Sequence, residues 1–462
     1  MTRELVFVSA GLRSPKKGNL SIFRRQRYLN YGLLSLANAS MVKNGSLVHG
    51  HFDAPSATLD KIAQTQGATN VVFLVSCPSF LSLDWAEEFI NLASARFAKS
   101  TFILGGRWVV DNVSDQIKRR MPRVDFIFEG IGEGEISKFL HDTTGLRYER
   151  GDKARSVFEQ SGLSFLDYEK LSDPYAFVPS FEGSRGCGAG CVFCAEASVR
   201  LTPLKAPATL SDEIALYYRK VPEGVRRFYL ETSNFTPRRD WIRSFTSARA
   251  DRGLAEIAWR TEARVDIFSQ PAIEELANAG LKVLDLGLES ASHKQLMRMG
   301  KTKNPQSYLS RCSQLIRTAT ENGIAIKLNV LLFPGEDRAT VAETVEWLER
   351  HKSYFVGVSA FPTIYYGLTP QSDPAVMQYR HLGAELVEPA SSFGIRNINL
   401  SRDIPYPQSE ALARDISRMF MSEEQYFFLK SFSYFDPRYT RHEFRADIAA
   451  TPHEMLPFSV AA

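Results

Sequence analysis

Gly183-Ser184-Arg185-Gly186-Cys187-Gly188-Ala189-Gly190-Cys191-Val192-Phe193-Cys194 decides how the rest of this chain is read. Three of the five cysteines of the 462-residue chain fall in this stretch, spaced C-x3-C-x2-C. Thiolates are soft ligands, and four-iron clusters are held by cysteines at short spacings of this kind. A closed cluster needs four protein ligands. No fourth cysteine is near, so one iron would stay open to another ligand. Zinc is a competing reading, but it would want a fourth Cys or His close by, and neither occurs between Leu201 and Ala250. A chance cluster of thiols is the third reading.

Working outward, the stretch follows an apolar run, Val178–Glu182, that reads as a strand. Five more strands are expected at Arg227–Thr232, Ile257–Arg264, Val283–Leu288, Ile324–Leu332 and Phe355–Phe361. The helices between them include Ser211–Arg219, Pro237–Asp251, Pro271–Ala279, Asn304–Asn322 and Arg338–His351. Asn278-Ala279-Gly280 and Glu321-Asn322-Gly323 put glycine at the helix stop. Six strand–helix units predict a parallel sheet curled into a partial barrel over residues 177–365. Barrels of this kind carry their active site at the carboxyl ends of the strands, and the cysteines lie on that rim.

C-x3-C-x2-C with an aromatic before the last cysteine resembles the signature of the radical S-adenosylmethionine (SAM) enzymes. The resemblance implies that Cys187, Cys191 and Cys194 hold a [4Fe–4S] cluster whose open iron takes SAM. It also implies reductive cleavage of SAM to a 5′-deoxyadenosyl radical that removes hydrogen from a substrate. Leu230-Glu231-Thr232-Ser233-Asn234 stands where the family has a Gly-Gly-Glu-like turn that accepts hydrogen bonds from the SAM ammonium. Glu231 and Thr232 are kept; the paired glycines are not. Alternation puts Arg260, Glu262 and Arg264 on one face of the third strand, and charges inside a barrel must be paired or bind a ligand. Arg264 best matches a family arginine beside the SAM carboxylate; a mutual Arg–Glu pair is the alternative. Leu286-Gly287-Leu288-Glu289-Ser290 resembles a Gly-x-Glu-Ser segment, which makes Glu289 and Ser290 candidate contacts to the SAM ribose or carboxylate. Asn329 is a candidate ribose or amino-acid contact, and Phe193 a candidate for the adenine edge. No catalytic acid or base is singled out.

Residues 1–145 alternate strands and helices in the manner of a doubly wound α/β domain. Its landmarks are loops at strand ends: Ser76, Gly105-Gly106, and Gly132-Glu133-Gly134-Glu135. The pattern is similar to the cobalamin (B12)-binding domain that precedes many radical SAM cores. The resemblance makes Ser76, Gly105, Gly106, Gly132, Glu133 and Gly134 candidate cobalamin contacts. The Asp-x-His-x-x-Gly element that some cobalamin domains use to ligate cobalt is absent, and His49 and His51 read as ordinary polar residues. A domain that keeps the sheet without the cofactor is the alternative. Residues 146–176 show no sustained period and read as a linker. Residues 366–462 read as a mostly helical segment (Asp373–Val387, Ser409–Met421, Glu423–Phe432) capping the barrel. They contain no cysteine, so the extra clusters of some relatives have no ligands there. Cys77 and Cys312 read as structural.

Composition is that of an ordinary soluble globular protein: 44% hydrophobic, 23% charged, net charge +4. That balance gives no concentrated basic face, so no nucleic-acid partner is expected. Clustered cysteines suit a reducing cytosol. No signal peptide or membrane helix is expected, since no apolar run nears the ~18 residues a span needs. The function these readings imply is radical chemistry on a small molecule, a secondary-metabolite or natural-product intermediate. An external one-electron donor of the flavodoxin or ferredoxin type would supply the cluster. If cobalamin is bound, methyl transfer to carbon follows; if not, dehydration, rearrangement or bond formation. A non-catalytic cobalamin- or metal-binding regulator is the alternative from another class.

Overall fold

Val71–Ser76 (β3) is buried at all six positions, as a strand covered on both faces must be. It lies at the centre of a parallel sheet with β1 (Glu4–Ser9), β2 (Gly45–His49), β4 (Thr101–Gly105) and β5 (Phe126–Phe128), in the order β2-β1-β3-β4-β5. The fold is that of a computed structural model describing residues 3–13, 20–65, 70–97, 99–106, 114–149, 153–194, 196–197, 199–366, 374–387 and 395–460. The chain forms two compact units, 1–177 with 216–224, and 178–215 with 225–462.

In the first unit the strand order reverses between β1 and β3, the switch point where open α/β sheets take ligands. One register row crosses the carboxyl edge there: His49 on β2, Ser9 on β1, Ser76 on β3, Gly105 on β4 and Phe128 on β5. Asn30 bridges the switch point, donating from Nδ2 to Ser9 Oγ and to Ser76 Oγ, both at 3.2 Å. Its Oδ1 meanwhile caps the helix Tyr31–Ala39 at Leu33 N. Residues 146–176 are more structured than a linker: a helix forms at Lys153–Ser161. Its apolar residues, Ala154, Val157 and Phe158, have helical spacing but span little more than one turn.

The second unit is built on six parallel strands in sequence order: β6 (Ser180–Glu182), β7 (Arg227–Glu231), β8 (Ala258–Arg264), β9 (Leu281–Glu289), β10 (Ala325–Leu332) and β11 (Gly357–Pro362). This is the expected partial (β/α)6 barrel. Trp259 marks the outer face of the sheet. It stacks on Phe228 at 6.3 Å and meets Phe235 and Phe245 edge-on, and its indole N–H donates to Ala279 O at 2.7 Å. The alternate residues Arg260, Glu262 and Arg264 therefore face the lumen. A short helix not foreseen from sequence, His293–Arg298, follows β9.

The carboxy-terminal segment departs from expectation. The helix expected over Asp373–Val387 is Pro374–Tyr379, with a 3-10 turn at Arg380–Leu382; Asp373 itself lies outside the described residues. Gly383, at φ +90°, ends it, since a left-handed glycine stops helical hydrogen bonding. Then β13 (Glu385–Leu386) and β14 (Ile395–Asn399) join β12 (Ile364–Tyr366) in a small antiparallel sheet, ordered β12-β14-β13. The helix Tyr406–Met419 lies on β11, where Ser417 Oγ accepts from Ala360 N at 3.0 Å. The helix Glu423–Ser433 closes the amino ends of β7 and β8. Arg227 Nη2 donates to Ser431 O at 2.7 Å, and Arg260 Nη1 to Leu429 O at 2.6 Å. A last helix, Arg441–Ala449, carries a capping box of Thr440 and Glu443. Among the described residues no helix is long and apolar enough to cross a membrane.

Candidate active site

The cysteine loop leaves β6 at the carboxyl rim of the barrel. Gly186, Gly188 and Gly190 all take positive φ, at +73°, +66° and +76°. At Gly186 the need is doubly strict, because a Cβ would sit 2.4 Å from Arg200 O. Backbone bonds fasten the loop: Cys187 N to Val199 O at 3.0 Å, Val192 N to Met299 O at 3.0 Å, and Cys194 N to Cys191 O at 3.2 Å. Cys191 is buried, Cys187 half-buried and Cys194 exposed. Partial desolvation, with the charges of Cys191 and Cys187, raises the Cys194 thiol. The three sulfurs are thus close enough to repel as thiolates, which a cationic iron cluster would relieve. Among the described residues no three His, Cys, Asp or Glu side chains converge on a single-ion site. The donor set fits a [4Fe–4S] cluster held by Cys187, Cys191 and Cys194.

Arg264, the last residue of β8, stands against this loop. Its Nη1 is 3.5 Å from Cys191 Sγ, and Asp266 grips it at two points, 3.0 and 3.1 Å. Nη2 also donates to Lys301 O at 2.8 Å. Lys301 Nζ pairs with Glu289 Oε1 at 3.0 Å. Glu289 holds φ +63°, unusual for a residue with a side chain. Tyr308 OH donates to Gly287 O at 2.8 Å, bracing the end of β9. Phe193 packs with Phe333, edge to face at 6.3 Å, against a buried group of Met299, Phe333, Tyr379 and Ala384.

Below this rim one layer of charge circles the lumen. Register places Glu182 beside Glu231, Glu262 beside Asp285, and Asp285 beside Lys327. Arg185 pairs with Glu182 at 2.5 Å. Asp285 takes Arg260 at 2.6 and 2.8 Å and Lys327 at 3.4 Å, and these cations outweigh burial to hold its carboxyl below the usual range. Lys327 also donates to Asn329 Oδ1 at 2.7 Å. The alternative of a mutual Arg260–Glu262 pair is not what forms. Glu231 is pushed up to about 7 by desolvation and by Glu182, against a hydrogen bond from Ser180. Glu262 is pushed up to about 8 by desolvation, Asp285 and Glu231. It is accessible yet desolvated, the combination expected of a side chain lining an internal cavity.

Two sequence candidates turn away from the lumen. Thr232 is buried, its hydroxyl 3.1 Å from Thr261 Oγ1 on the outer face. Ser290 is buried too, bonded to Thr344 Oγ1 at 3.1 Å and to Ser292 N at 3.0 Å. Asp266, Asp285, Lys301 and Lys327 escaped sequence reading. The signal was there for Asp285 and Lys327, single charges in otherwise apolar strands.

In the first unit the cobalamin candidates are largely spent on the domain's own packing. Ser76 Oγ accepts from Asn30. A Cβ on Gly106 would fall 2.5 Å from Cys77 O, and one on Gly132 2.3 Å from the Phe128 ring. Gly105 lies under Phe128 O, and Glu133 is buried, accepting from Ser35 and Ser164. Gly134 alone of the six is open. His49 and His51 stack at 5.3 Å, and burial lowers both pKa values, His49 to about 3. His49 Nε2 accepts from Asn30 N at 3.1 Å, which commits that nitrogen. Cys77 is buried, its thiol pushed up to about 12 by desolvation, and Cys312 is buried as well.

Residues 181–348 match the Radical SAM superfamily model. The chain is 23% identical over 339 residues to the ribosomal protein uS12 methylthiotransferase RimO of Acetivibrio thermocellus, covering 69% of this chain and 74% of that one. It is 22% identical over 279 residues to an uncharacterized methyltransferase of Pyrococcus horikoshii, covering 54% and 58%. Among solved structures it is similar to the cobalamin-dependent radical SAM enzyme OxsB with aqua-cobalamin and SAM bound (TM-score 0.65, 14% identity, 89% of this chain and 66% of that one). It is also similar to the radical SAM methyltransferase TsrM of Kitasatospora setae with cobalamin and a [4Fe–4S] cluster bound (TM-score 0.61, 17% identity, 97% and 91%). At these identities the structural likeness is one of fold. With its three-thiol loop on the rim of a six-stranded partial barrel, and with the superfamily model lying over that barrel, the chain carries a Radical SAM domain over residues 181–348.

Proposed function

We propose that this enzyme removes hydrogen from a small organic substrate held in the barrel lumen, and that its first unit binds cobalamin for methyl transfer to carbon. The single observation that carries the reading is the lumen itself. One rim holds three thiols with Arg264 against them, and the layer beneath presents Glu231 and Glu262, to neither of which a cation is bonded among the described residues. When bound, the cluster supplies one electron to the sulfonium of SAM. The chain's own groups do the rest. Glu231 offers acceptors to an ammonium, Arg264 and Lys301 offer donors to carboxylate or ribose oxygens, and Asn329, steadied by Lys327, faces the same level. Phe193 gives an apolar wall, and the closed amino ends of β7 and β8 exclude water.

Support for the cobalamin part comes from the fold of the first unit and from TsrM, matched over 97% of this chain. A second reading, radical chemistry without cobalamin, is favoured by the internal engagement of Ser76, Gly105, Gly106, Gly132 and Glu133. Extraction after anaerobic reconstitution with hydroxocobalamin separates the two. About one cobalamin per chain, retained through gel filtration, supports methyl transfer; none retained supports the second reading. The electron donor is proposed to be a flavodoxin- or ferredoxin-type protein.

A further inference from the structure

Cys191 differs from its two partners. Cys187 and Cys194 reach solvent, while Cys191 is 6% exposed. A thiolate there is not solvated by water, and its negative charge must be met by the protein. Arg264 meets it, with Nη1 at 3.5 Å from the sulfur. The guanidinium is not free to wander. Both oxygens of Asp266 and the carbonyl of Lys301 fix its plane, and the neighbouring ammonium of Lys301 is occupied by Glu289.

We propose that Arg264 is a positioning residue acting on the cluster through Cys191: it donates an N–H to that thiolate and raises the cluster's reduction potential. Hydrogen bonds to the sulfurs, together with net charge, set the potentials of such clusters. Adding one electron makes the cluster more negative, so a fixed cationic donor on a ligand sulfur stabilises the reduced form. The other two thiolates have water for this purpose; Cys191 has Arg264. The inference rests on the superfamily reading of the thiols and extends it to a residue that contacts them.

The test is an EPR-monitored redox titration of the reconstituted full chain without SAM, comparing wild type, R264Q and R264K at matched iron content. R264Q is expected at a more negative midpoint than wild type, with R264K between them, since lysine keeps the charge but not the directed planar donor. A residue serving only to bind the SAM carboxylate would leave a SAM-free potential unmoved. R264Q with full iron and the wild-type midpoint overturns the proposal. Should R264Q lose its iron, R264K decides: a midpoint below wild type supports the assignment, and an unchanged one overturns it. Absence of any reducible cluster in the wild-type protein overturns both this proposal and the reading beneath it.

Discussion

Glu262 and Asp285 are register partners on β8 and β9 with opposite electrostatic fates. Asp285 is gripped by Arg260 and Lys327 and titrates low. Glu262 faces the same lumen with no cation bonded to it among the described residues, and burial with Asp285 and Glu231 pushes it up to about 8. Glu231 and Glu262 are thus the carboxyl groups of the layer that burial and like charge hold toward the protonated form.

A carboxyl whose pKa is higher folded than unfolded favours the fold while protonated. Its contribution is full below the unfolded value of 4.5 and is lost as pH rises through about 8. Glu262→Gln keeps a neutral group at every pH. The Tm difference between this variant and wild type should therefore be small at pH 5 and grow in the variant's favour by pH 8.5, in protein without SAM. An equal difference at both pH values would show that Glu262 is not desolvated as described.

Asp285→Ala leaves Arg260 buried without its carboxylate. Breaking a buried pair from one side costs about 3–5 kcal/mol, and urea denaturation should show a loss of that order. Glu275→Ala, which removes the half-buried partner of the surface residues Arg239 and Arg243, should cost far less, since solvent screens that pair. Equal losses would contradict the distinction.

Gly186→Ala tests the loop. The left-handed conformation costs a side-chain-bearing residue about 1–2 kcal/mol, and the 2.4 Å approach to Arg200 O adds to it. The strain falls on the residue before Cys187, so iron loading should drop several-fold while far-UV circular dichroism stays native. Full iron content would show that the loop tolerates another path.

Much of this was legible from residues alone. The six barrel strands alternate with helices, two of which end in well-marked glycine stops, and the cysteine loop follows the first strand. The charged layer was only half legible. Alternation put Arg260, Glu262 and Arg264 on one face, but which cation meets which carboxylate depends on register across strands, and that sent Arg260 to Asp285. The same alternation, applied to adjacent residues, sends Glu231 inward and Thr232 outward. The small sheet β12-β14-β13 was missed because its strands are two to five residues long and pair across distant sequence. The helix Lys153–Ser161 was missed because its apolar stripe, Ala154, Val157 and Phe158, spans little more than one turn.

The most direct measurement is product analysis of the anaerobically reconstituted protein incubated with SAM and dithionite, beside Cys191→Ala. The wild-type chain should carry about four irons and release 5′-deoxyadenosine and methionine, while the variant should lose both the iron and the products. Iron-replete wild-type protein that leaves SAM intact, or a Cys191→Ala variant that cleaves it at the wild-type rate, would contradict the three-thiol radical site.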